Sequence, residues 1–194
     1  MFAFISISVL LFALFIRMKL GKTSKNKTDF WEEERKANLT RPKDISGLDY
    51  RTVSIDSLPQ SDHDDVTLRS YWNSIRRLEG KQILNLTGQT NTELKLRYGS
   101  ANLTKLSGFE NNYIELISTL HKLGARLYYL NYIEEAQAVL EYSVSCLTDV
   151  TKTYRLLAEI YRKQGTPDKI DTLIRTIPNT KIPDKEKLQH ELKS

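Results

Sequence analysis

One stretch of the chain matches itself. Leu120, Leu123, Gly124, Leu127, Asn131, Ala136, Leu140 and Ser143 return 34 residues later as Tyr154, Leu157, Ala158, Tyr161, Gly165, Ile170, Ile174 and Ile177. A single helical hairpin cannot bury its apolar face alone, so a self-match at this period marks hairpins that cover one another. The fold class that follows is all-α.

Apolar spacing places the helices. Residues 111–130 carry Tyr113, Leu116, Ile117, Leu120, Leu123 and Leu127 on one stripe, and 133–147 carry Ala136, Val139, Leu140 and Val144. Asn131 tolerates the positive φ of a tight turn between them. Residues 151–163 and 168–177 repeat the arrangement, with Gly165 at the matching turn and Pro178 as a stop. A last, polar helix over 184–193 turns Leu188 and Leu192 inward, as a terminal unit with a wet outer face should.

Two hairpins fall short of the ~3 units a stack needs, so helices upstream must complete it. Residues 66–78 supply one, with Leu68, Tyr71, Trp72, Ile75 and Leu78 on a shared face. Thr90 and Glu93 form a capping box for a short helix ending before Gly99, and another runs from Ala101 to Leu106, closed by Gly108. Residues 49–56 alternate, which predicts an extended segment lying along the helices.

The net charge of +5 resides at one end. Arg17, Lys19, Lys22, Lys25 and Lys27 precede the first acid, Asp29, leaving 24 basic against 24 acidic side chains beyond them. A neutral folded part gives no basic face for nucleic acid. The run from Met1 to Ile16 holds no charge, and counting to Leu20 gives a span long enough for a bilayer core. A cleaved signal would need a basic start and a small-residue cleavage site, and neither is present. Cations after the span and none before it place the C-terminal side in the cytoplasm. The same five side chains flank the membrane and rest on anionic lipid. Residues 28–38 predict a short helix, with Phe30 and Trp31 either at the membrane interface or docked on the domain.

At the self-matching residues the chain resembles the tetratricopeptide repeat. Leu120, Leu123, Gly124, Leu127, Ala136 and Leu140 follow that family's pattern with substitutions, as do Tyr154, Leu157, Ala158 and Tyr161; Ile170, Ile174 and Ile177 depart from it. The resemblance implies binding of an extended protein or peptide segment on the inner face of the first helix of each hairpin. On these positions that face shows His121, Tyr128, Tyr129, Lys152, Arg155, Glu159 and Arg162. Ala125 and Glu159 stand where the family's carboxylate clamp uses asparagine, so no clamp is expected. Separately, the segment from Phe30 to Tyr50, with Ile83–Gly88 and Thr92–Gly99, resembles a block in uncharacterised membrane-anchored proteins of Clostridia-type bacteria, which carries no activity with it.

The expected organisation is a transmembrane helix over 1–20, a basic segment with a short helix and connector over 21–64, and a tetratricopeptide-like domain over 65–194. No catalytic, cofactor or metal residue is assigned. His63, His121 and His190 lie far apart in sequence, and the run Ser61–Asp65 reads as an acid-rich helix start rather than a metal loop. No phosphate-cradling glycine loop, zinc-protease or nucleophile-elbow motif is present. Cys146, the single cysteine, lies among apolar neighbours and reads as a buried, inert thiol. The function expected is a membrane-anchored scaffold or adaptor at the cytoplasmic face, with lipid and a protein as partners and no small-molecule substrate. Two alternatives stay open. One is an enzyme with a site in residues 82–108, carried by Asn85, Asn91 or Arg97; the other is a secreted helical domain whose signal is removed.

Overall fold

The computed structural model describes residues 29–59 and 63–193. The predicted span and its flanking cations Arg17, Lys19, Lys22, Lys25 and Lys27 lie outside these residues. Among the described residues no helix is long and apolar enough to cross a membrane. They are all-helical, and their only β-type pairing is one isolated bridge between Arg51 and Ile83.

The chain divides into two compact units. One comprises residues 29–47 together with Gln89–Thr104; the other comprises Leu48–Gly88 and the chain from Lys105 onward. The division cuts the 21–64 connector at Gly47.

In the first unit, α1 covers 29–38 and α3 covers Asn91–Tyr98. Its apolar core is small, with Ala37 and Leu94 fully covered. Polar contacts carry the rest. Lys95 donates to Glu34 and to Asn38 Oδ1, and Thr92 Oγ1 donates to Glu34 Oε2 at 2.7 Å. The Lys95 ammonium, with Thr92, holds the Glu34 carboxyl below its ordinary pKa. The Thr90–Glu93 capping box forms as the sequence predicts. Asn102 Nδ2 donates to the carbonyls of both Lys43 and Tyr98 at 2.8 Å, tying the loop after α1 to the end of α3.

The second unit holds the main core. Helix α2 spans Val66–Arg76, α4 runs to Tyr129, α5 spans Ile133–Ser145, α6 Thr151–Lys163, α7 Pro167–Thr176 and α8 Lys185–Lys193. Leu68, Trp72 and Ile75 of α2 join the cluster formed by Leu116, Leu120, Leu140, Leu157 and Ile174. Helix α2 thus packs into the same core as α4 to α7. Val53 and Ile55 from the alternating segment enter the same cluster. Its backbone is pinned by the Arg51–Ile83 bridge, and Ser54 N donates to Tyr142 Oη of α5 at 3.1 Å.

The two hairpin turns share one geometry. Asn131 has φ 67° and Gly165 φ 66°. Tyr132 N donates to Leu127 O at 2.9 Å, and Thr166 N to Tyr161 O at 3.0 Å, the same pair of positions 34 residues on. These are the bonds that close a helix on a left-handed residue. Helices α5 and α7 start at equivalent positions, Ile133 and Pro167, the latter a residue suited to a first helical turn.

One expectation is corrected. The sequence predicts a helix over 101–106, a break at Gly108 and a second helix from 111. Instead α4 is continuous over Leu103–Tyr129. An interior glycine costs about 1 kcal/mol. Leu106, Tyr113, Leu120 and Leu127, one every seven residues, are all fully buried, and continuity keeps them on one stripe.

Candidate functional site

The predicted partner face lies on α4 and α6, and the structure splits it in two. Its first part surrounds an open groove of about 780 Å³ at the turn end of the hairpins. Tyr128, Tyr129 and Ala125 of α4 line it, with Ile133 of α5 and Leu156, Lys163 and Gln164 from α6 and its cap. Tyr128 Oη donates to Glu159 Oε1 at 2.5 Å, and Lys163 donates to the same phenol while pairing with Glu159 at 2.9 Å. The Tyr128 hydroxyl and the Lys163 ammonium lower the Glu159 carboxyl pKa, so the wall stays ionised. Tyr129 is 77% exposed, with the Arg126 guanidinium 5.3 Å from its ring centre.

In the second part the chain itself engages two of the side chains, which stay exposed. Arg155 pairs with Glu191 of α8 at 2.8 Å, and Arg162 donates to the carbonyl of Leu192 at 2.8 Å. Leu188 and Leu192 are buried beneath. These two arginines, expected on an open face, fasten the terminal helix. Lys152 is exposed. His121 is half-buried, its Nδ1 3.2 Å from Thr153 Oγ1. Burial, then the charges of Lys152 and Lys122, lower its pKa, so it is neutral near pH 7.

A polar and aromatic cluster stands beside the α4–α5 turn. His63 stacks on Tyr132 at 3.8 Å, and its Nε2 lies 2.6 Å from Glu135 Oε2. Asp65 accepts from Leu68 N as the cap of α2 and also pairs with Arg126 at 2.6 Å. The predicted acid-rich helix start is thus a cap plus an ion pair to α4. The Arg126 bond, then the Leu68 amide, hold the Asp65 carboxyl below its ordinary pKa.

The residues proposed for an enzyme site are divided between the two units. Asn85 belongs to the second unit, where its Nδ2 donates to Tyr113 Oη at 2.9 Å and its Oδ1 accepts from Thr87 N. Asn91 and Arg97 belong to the first unit, one at the start of α3 and the other bonded to Gln89 at 3.1 Å. Cys146 is 7% exposed, and burial raises its thiol pKa, opposite to what a nucleophile needs.

Sequence reasoning missed Leu156, Lys163 and Gln164. Periodicity gave a signal for Lys163, which stands 34 residues after Tyr129 and so at the equivalent position of α6. No protein-family model, no curated protein and no solved structure matches the chain.

Proposed function

We propose that the chain is a membrane-anchored interaction module. The apolar run over 1–20 holds it at the cytoplasmic face, and the groove beside Tyr128 and Tyr129 takes an extended segment of a protein partner. The observation that carries this reading is the groove itself, floored by Ala125, Ile133 and Leu156 and edged by a large side chain left 77% exposed. The common geometry at Asn131 and Gly165 supports the resemblance to tetratricopeptide hairpins, which bind extended peptides on this side.

Affinity capture from detergent-solubilised membranes tests it, with a photo-crosslinking residue in place of Gln164. Tyr129→Ala and Ala125→Glu should each abolish the crosslinked partner, whereas Lys152→Ala should leave it. Unchanged crosslinking in both groove variants removes the groove from consideration.

A further inference from the structure

Helix α1 presents a stripe that nothing described in its own unit covers. Trp31, Arg35 and Leu39 follow one another at intervals of four, and the Leu39 amide still donates to the Arg35 carbonyl at 3.2 Å, so the helical repeat reaches it. Trp31 is 59% and Leu39 78% exposed, and Arg35 is exposed between them. Phe30, 51% exposed, meets the Trp31 ring edge-on with centroids 5.4 Å apart. The side of α1 facing its unit is a different one, marked by Ala37 and by Glu34 in its contacts with Lys95 and Thr92. The exposed acids Asp29 and Glu33 lie off the stripe, two-thirds or more of a half-turn from Trp31 and Arg35, while the exposed Glu32 borders it on the Leu39 side.

We propose that α1 lies along a lipid surface, with Trp31 and Leu39 entering the headgroup boundary. The proposal rests on the anchor reading of residues 1–20. Three observations select lipid over a protein partner. The stripe begins a few residues after Lys22, Lys25 and Lys27, a cluster complementary to anionic headgroups. Tryptophan is the side chain that favours this boundary, with an apolar body and a polar N–H. Arginine between two apolar residues suits it too, its stem along the tails and its guanidinium at the phosphates. The stripe is also too short and the helix too charged to insert, which leaves an in-plane position.

The full chain, reconstituted in phosphatidylcholine and phosphatidylglycerol vesicles containing lipid brominated near the headgroup, provides the test. The Trp31 signal is the difference between wild type and Trp31→Phe, whose remaining indole, Trp72, is buried in the core. Bromolipid should cut the Trp31 signal about twofold, and Leu39→Asp should lessen that loss, with Trp72 unaffected. Flotation of the same samples separates the failures. Chain that floats with an unquenched, water-like Trp31 overturns the surface position and leaves the anchor standing. Chain that does not float removes the anchor reading and this proposal together. Unquenched but blue-shifted Trp31 emission that reverts on dilution into more lipid shows a second copy on the stripe, and overturns it as well.

Discussion

Leu140 occupies the space that a β-carbon on Gly124 would need. An added Cβ would stand 2.7 Å from both Cγ and Cδ2 of Leu140, and both residues are buried. The glycine lets α4 and α5 approach closely, and the leucine fills the contact. Gly124→Ala should therefore destabilise the protein by about 1–3 kcal/mol through overpacking. Denaturant unfolding measures it. Adding Leu140→Val should recover part of the loss, and strictly additive effects would show that the two positions do not share space.

Tyr113 bridges two segments that lie 28 residues before it and 34 after it in the chain. Its hydroxyl accepts from Asn85 Nδ2 and donates to the Leu147 carbonyl, each at 2.9 Å. Burial pushes the phenol pKa far up, so it remains a donor at any ordinary pH. Tyr113→Phe leaves both partners unsatisfied and should cost about 1–3 kcal/mol. Asn85→Ala should couple to it in a double-mutant cycle. This assigns Asn85 to the scaffold, and the same variants should leave the crosslinked partner unchanged.

Ser143 is a fully buried hydroxyl with no hydrogen-bond partner among the described residues. The equivalent position of the next hairpin is Ile177, also fully buried. Ser143→Ala removes an uncompensated polar group from an apolar site. It should raise stability by roughly 1 kcal/mol, read as a higher denaturation midpoint. A lower midpoint would mean that the hydroxyl has a partner.

The hairpins were legible because their signals are local. Asn131 and Gly165 announce left-handed turns, and apolar spacing of three and four residues names the buried side of α4 to α7. The break placed at Gly108 shows where local signals mislead. Glycine is a local breaker, but the seven-residue register from Leu106 to Leu127 runs through Gly108 and costs more to disrupt. The site was harder to see for a different reason. Arg155 and Arg162 share a side of α6 on any helical wheel, but whether that side is open depends on where α8 lands. Their partners, Glu191 and Leu192, lie about 30 or more residues away, and no period encodes that docking. Leu188 and Leu192 could be read as inward-facing, though not against which helix.

Cys146 should behave as a structural thiol. It is 7% exposed, and burial raises its pKa, with Arg51 only partly opposing. Modification by iodoacetamide in the native state should be on the order of a hundredfold slower than in denatured protein, since it requires local opening. A native rate close to the denatured one would contradict the burial of the α5 C-terminus.

His121 gives the protein an acid-sensitive element between α4 and α6. Its pKa is lowered chiefly by burial, next by Lys152 and Lys122, while the unfolded chain titrates near 6.5. Below that value the unfolded state binds a proton that the folded state resists, so the contribution is complete above it and declines as pH falls toward the lowered value. Stability should therefore drop on acidification below about pH 6.5. Asp65 and Glu159, both held low by their partners, add losses only further down, once their carboxyls protonate. His121→Gln keeps a neutral polar side chain facing Thr153 and should flatten the upper part of the profile while leaving the lower part in place. Chemical unfolding at a series of pH values reads both segments. An unchanged slope in His121→Gln between pH 5 and 6.5 would transfer the effect to another group.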